Sequence, residues 1–129
     1  MKYFNYFEFD SPDVQGSGQL MSKELLSKLD QVREMYGKPI QITSGYRTEA
    51  HNEKVGGVQK TYDDNGNVVN KGSSHLYGLA ADLACTNSAD RYHLVQLLML
   101  HNVKRIGIAK TFIHIDVDPD KAQNVIWTY

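Results

Sequence analysis

The stretch Gly78–Cys85, GLAADLAC, constrains the fold more than any other part of the chain. An apolar run this short, opened by a glycine, reads as a buried strand. Asp82 sits in its middle. A carboxylate taken out of water without a partner is costly, so the fold must supply one. The same question arises at FIHIDV, residues 112–117. On a strand Ile113 and Ile115 point one way, and Phe112, His114 and Asp116 point the other. One strand face therefore carries a histidine and a carboxylate side by side.

The rest of the chain supplies elements to pack around such strands. From Met21 to Tyr36, Leu25, Leu26, Leu29, Val32, Met35 and Tyr36 recur at three- and four-residue steps, which predicts an amphipathic helix. Ser22 is its candidate N-cap, and Gly37 with Pro39 ends it. A second helix is predicted over SADRYHLVQLLMLHN, capped by Ser88, with Tyr92, Val95, Leu98 and Met99 toward the core. PIQITSGYR reads as a short strand running into a loop, and TEAHNEKVGG as a helical turn. The Asn65-Gly66 pair between β-compatible runs signals a hairpin. RIGIAKTFIHIDVD gives two strands joined near Lys110-Thr111. The expected fold is α+β: one domain over 1–129, with two main helices packed on a small, mostly antiparallel sheet.

Bulk properties exclude several classes. At 129 residues and 41% hydrophobic, the chain can bury one core. A formal net charge of -1 offers no global attraction to nucleic acid or to an anionic membrane. The aromatic-rich start, MKYFNYFEFDSPD, carries Glu8 and Asp10 and is no secretory signal. No run approaches the ~20 apolar residues of a membrane span. The expectation is a monomer made in the cytoplasm, which reaches any outside target only when something else releases it. Cys85 is the single cysteine and reads as a small buried residue. The acidic strings DDNGN and DVDPD lack the spacing of calcium loops and read as turns and solvated charge.

His75, Asp82 and His114 are the ionisable residues in apolar surroundings. Two histidines and a carboxylate are a common zinc set that leaves a fourth position open. Their spacing is not the helical H-E-x-x-H arrangement. The alternative is a structural salt bridge at Asp82 and a satisfied core imidazole at His114.

SSHLYGLAADL resembles the Ser-x-His-x-x-Gly-x-Ala-x-Asp signature of the D-alanyl-D-alanine metallopeptidases, at Ser73, His75, Gly78, Ala80 and Asp82. ITSGYRTEAHN resembles that family's upstream Ser-Gly-Tyr-Arg stretch, and FIHIDV its downstream histidine strand. Together they span Ile42 to about Val117. The resemblance implies the fold shared with lysostaphin-type enzymes and the hedgehog domain, in a compact bacterial or phage form. It implies zinc held by His75, Asp82 and His114. Arg47 would bind the substrate's carboxylate or carbonyl oxygen, as its planar fork of donors suits it to do, and Ser73 would hydrogen-bond nearby. The implied activity is cleavage of peptidoglycan stem peptides, as a D,D-carboxypeptidase or an endopeptidase at an alanine-containing bond. An endolysin-like role is the first expectation; a non-catalytic zinc-bound module on the same fold is the alternative.

Two departures from the family pattern stand out. Many relatives carry an acid three positions before the last histidine; here that position is Thr111. Asp116 is the replacement candidate for the general base, and its rival role is to hold His114 or Arg47 in place. His51 is read as a surface histidine. The second departure is the long connection over 58–72, a hairpin that would shape the substrate groove or act as a flap, or lie inert on the surface.

Overall fold

The computed structural model describes residues Met1–Tyr129. Three helices, α1 (Lys23–Tyr36), α2 (Glu49–Lys54) and α3 (Ser88–Leu100), accompany seven strands. These are β1 (Ile42–Ser44), β2 (Thr61–Tyr62), β3 (Val68–Asn70), β4 (Ala80–Ala84), β5 (Arg105–Ile108), β6 (Phe112–Asp116) and β7 (Val125–Thr128). Five strands form one sheet in the order β1-β4-β6-β5-β7, antiparallel except where β7 runs parallel to β5. β2 and β3 form a separate hairpin. The α+β expectation holds. No helix is long and apolar enough to cross a membrane.

The core lies between one sheet face and the two long helices. Ala81, Leu83, Ile106, Ile113 and Ile115 from the sheet join Leu25, Leu29 and Val32 of α1 and Leu94, Leu97 and Leu98 of α3. Ser22 caps α1 by accepting a hydrogen bond from the Leu25 N–H, 3.3 Å away. Met35, expected in the core, is exposed.

On α3 the expected face is half right: Leu98 is buried and Val95 packs against the core, but the other two residues point outward. Tyr92 and Met99 are 76% and 62% exposed, whereas Leu94, Leu97 and Leu98 are buried. LVQLLML places apolar residues all round the helix, so periodicity leaves its rotation undetermined. The cap also moves by one residue: Asn87, not Ser88, accepts from the Asp90 N–H at 3.0 Å. β7 and two short 3-10 turns, Tyr6–Phe9 and Ser17–Leu20, were not expected from the sequence.

The hairpin over 58–72 forms as expected. The Asp63 carboxylate accepts from the backbone N–H groups of Asn65 and Asn67, and Gly66 adopts a positive φ. In DVDPD the turn reading holds, but the charges are not all solvated. Asp116 and Asp118 are buried. Their carboxylates accept from the N–H groups of Asp118 and Asp120, so each aspartate shapes the next step of the turn.

Candidate metal centre

Register builds the site. Ser44 faces Asp82, Asp82 faces His114, His114 faces Gly107, and Gly107 faces Trp127. One row of side chains thus crosses five strands on the face away from the helices. Directly opposed residues of an antiparallel pair bring their Cβ atoms to about 4.5–5.5 Å, so the Asp82–His114 contact follows from pairing alone. His75 arrives from outside the sheet, on a 3-10 turn, Ser74–Tyr77, capped by Ser73. Gly78 closes that turn at φ +69, where a Cβ would sit 2.3 Å from the Leu20 carbonyl oxygen. No other residue fits there, which accounts for the glycine of the motif on packing grounds.

His75, Asp82 and His114 converge as expected, with potential ligand atoms within 4.8 Å of one another. Asp82 Oδ1 lies 3.3 Å from His75 Nε2 and 2.9 Å from His114 Nδ1. The other ring nitrogen of each histidine is already engaged. His75 Nδ1 is 2.7 Å from the Gly45 carbonyl oxygen, which can only accept, so Nδ1 carries the proton and Nε2 keeps its lone pair. His114 Nε2 is 2.7 Å from Asp116 Oδ2, which leaves Nδ1 for a metal. Two ring nitrogens and one carboxylate oxygen converge on one point and fit zinc, which would displace the proton that His114 Nδ1 shares with Asp82.

Asp82 carries the negative charge of the site. Burial alone would raise the Asp82 carboxyl, but the hydrogen bond from His114 and the nearness of His75 outweigh it and hold it well below the usual carboxylate range. Burial lowers the pKa of His75, and Asp82 offsets this only in part, so that imidazole is neutral. For His114, hydrogen bonds to Asp116 and Asp82 overcome the effect of burial and raise its pKa.

Arg47 lines the same cavity. Its Nε donates to Ser44 Oγ at 2.9 Å, Nη1 to Asn52 Oδ1 at 3.1 Å and Nη2 to Asp82 Oδ2 at 3.3 Å. Two of its five N–H donors remain unspent. Ser73 also lines the cavity, and its hydroxyl accepts from the His75 N–H at 3.2 Å. His51 is not among the lining residues. Asp116 is 1% exposed and fully engaged: Oδ2 serves His114, while Oδ1 accepts from Arg105 Nε at 2.7 Å and from the Asp118 N–H at 3.1 Å.

A family model described as Peptidase M15 matches residues 2–118. The chain belongs to the peptidase M15 family. It is therefore a metallopeptidase by family, and M15 enzymes in general depend on zinc, which the convergent donors of this M15 chain are suited to hold. A search of curated proteins finds no match.

Several residues of the M15 site were not singled out in the sequence. The cavity, of about 520 Å³, is also lined by Arg105, Lys121, Trp127 and Tyr129. The Trp127 ring lies 5.7 Å from that of His114, and the Arg105 guanidinium sits 4.8 Å over it. Buried Asn52 orients Arg47 and itself donates to the Val58 carbonyl at 2.9 Å. No periodic signal marks any of these; Asn52 lies on the short α2, and the others follow only from the register of β5 and β7, the chain after β7 and the turn after β6.

Gly107 is what lets Trp127 lie against His114. A Cβ there would meet the indole at 2.7–2.9 Å. Gly107→Ala will therefore displace the ring from its contact with Arg105 and His114 and destabilise the fold by about 1–3 kcal/mol, the usual cost of overpacking. Because Trp127 is the only tryptophan, its emission will report the displacement. Unchanged emission and melting temperature would count against this packing.

Proposed function

We propose that the chain is a zinc-dependent peptidase that cuts peptidoglycan stem peptides, as a D,D-carboxypeptidase or an endopeptidase at an alanine-containing bond. It would act as a single copy in cell-wall lysis or remodelling, with an endolysin-like release step as the first choice. The observation that carries the zinc assignment is the pairing of tautomers: Gly45 fixes His75 and Asp116 fixes His114, so that Nε2 and Nδ1 face Asp82 Oδ1. The peptidoglycan assignment is supported by the Ser73-to-Asp82 motif and its two companion segments.

Zinc in this set would polarise the scissile carbonyl and lower the pKa of the attacking water. The protein residues divide the remaining work. Arg47, held by Ser44, Asn52 and Asp82, would offer its two unspent donors to the substrate's carboxylate or carbonyl oxygen. Asp116 holds the His114 ring and keeps Nε2 protonated. Trp127, Phe112 and Tyr129 form an aromatic wall of the cavity. The hairpin over 58–72 contributes Val58, Asn70 and Gly72 to the lining, which supports its groove-shaping role.

The second reading, a zinc-bound module without catalysis, is favoured by one feature. Asp82 and Asp116 are the only acidic side chains that line the cavity, and both are already paired. Digestion of purified sacculi with zinc-loaded protein, followed by mass spectrometry of the muropeptides, separates the readings. The expected result is loss of D-alanine or a split cross-link, absent with His114→Ala. Muropeptides that bind and emerge unchanged would leave the binding module.

A further inference from the structure

We propose that Lys121 forms a carboxylate-binding subsite in the metal-bearing cavity, which selects peptides carrying a carboxylate beside the bond to be cut. The inference rests on the peptidase reading for the identity of its ligand and on independent geometry for the subsite itself.

Three cationic side chains line the cavity: Arg47, Arg105 and Lys121. Two have carboxylate partners within hydrogen-bonding distance. Arg47 has Asp82 at 3.3 Å and Arg105 has Asp116 at 2.7 Å. Lys121 differs. Its Nζ donates to two neutral acceptors, the Gly72 carbonyl at 3.1 Å and Ser74 Oγ at 2.9 Å. The closest carboxylate oxygen, Asp118 Oδ2, is 3.7 Å away, within reach of an ion pair but beyond a hydrogen bond. Asp118 is satisfied elsewhere: Lys71 Nζ is 2.9 Å from Oδ1, and the Ser74 hydroxyl donates to Oδ2 at 2.6 Å. An ammonium has three donors, so Lys121 keeps one unspent. Its side chain is 31% exposed.

The ammonium is also held in place before any ligand arrives. The turn after β6 is fixed by Asp116 and Asp118 accepting from the backbone, and by Gln123 Nε2 donating to the carbonyls of Asp118 and Lys121. Ser74, which Lys121 touches, immediately precedes His75. The subsite therefore adjoins the metal-ligating turn. A flexible lysine bound this way forfeits less entropy when an anion docks. A carboxylate is the group a peptide offers to such a donor, from its C-terminus or from an acidic side chain.

The test uses the whole zinc-loaded protein and three probes: N-acetyl-L-alanyl-D-alanyl-D-alanine with a free C-terminus, its C-terminal amide, and that amide with D-glutamate at the central position. Trp127 lines the same cavity, so the initial change in its fluorescence on stopped-flow mixing reports binding before turnover. Wild type is expected to bind one acid at least about tenfold more tightly than the neutral amide, as a hydrogen bond to a charged group implies. Which acid wins identifies the source of the carboxylate. Lys121→Met should abolish the preference and Lys121→Arg should retain it. Equal affinity of wild type for all three probes, or an undiminished preference in Lys121→Met, would overturn the subsite. Selective binding without hydrolysis would remove the carboxypeptidase reading and leave the subsite standing; hydrolysis without selectivity would do the reverse.

Discussion

Zinc at about a thousandfold excess over its dissociation constant will stabilise the native chain by ~4 kcal/mol, because a ligand that binds only the folded state shifts the equilibrium by mass action. In a domain of this size each kcal/mol moves the midpoint by roughly 3–6 °C, so zinc-loaded and chelated protein should melt roughly 12–24 °C apart. Asp82→Asn will remove most of that difference. Asp82 Oδ1 stands between the two ligand nitrogens, 3.3 Å from one and 2.9 Å from the other, and a neutral amide is a poor substitute for it. Losing a group that merely orients a ligand lowers metal affinity by ~10–100-fold, so losing a ligand should lower it by more than ~100-fold on the same scale. The isosteric change leaves Arg47 its bonds to Ser44 and Asn52, which keeps the metal-free variant folded. Calorimetric melts with and without chelator, beside metal analysis of the purified protein, check this. A variant that still gains the full stabilisation from zinc would remove Asp82 from the ligand set.

The cluster of His75, Asp82 and His114 was legible in the sequence for a physical reason, and the motif resemblance supplied its reading as a metal site. A charged residue in an apolar strand has no bland explanation other than a buried partner, and GLAADLAC and FIHIDV each contain one. Strand periodicity then placed His114 and Asp116 on a common face, where they form a 2.7 Å contact. The residues around the centre left no such mark. Trp127 belongs to a strand whose pairing depends on β5, and its contact with His114 depends on the absence of a side chain at Gly107. Lys121 is one polar residue among several in a turn. Its position is decided by which carboxylates accept from which N–H groups, and sequence order does not reveal that. The rotation of α3 was legible only at Val95 and Leu98, because its apolar residues surround the axis; packing against α1 and the sheet is what adds Leu94 and Leu97. Asp116 was legible as a residue of the site but not in its role. An i, i+2 spacing fits a base beside the metal as well as a partner on the far side of the ring.

Asp116→Asn separates those roles, because they predict opposite behaviour. A general base replaced by an amide loses about 10²–10⁴ in rate and leaves metal affinity alone. An orienting partner replaced by an amide still accepts from Nε2–H through its carbonyl oxygen, so metal affinity falls only in part. Asp116→Ala, which accepts nothing, should then lower zinc affinity by ~10–100-fold. The second pattern is the expected one. Asp116 is 1% exposed, with Oδ2 on His114 Nε2 and Oδ1 shared by Arg105 and the Asp118 N–H. Reaching a water on the metal side would require giving up contacts that hold Arg105 beneath the indole and the turn that carries Lys121. Hydrolysis in both variants should therefore follow zinc occupancy and recover as zinc approaches saturation, with alanine needing more metal than asparagine. Both variants also leave Arg105 without its carboxylate, and breaking one side of a buried pair is destabilising, so the assays belong well below the melting transition. Asp116→Asn with full zinc affinity and a hundredfold loss of rate would restore the carboxylate to the role of base.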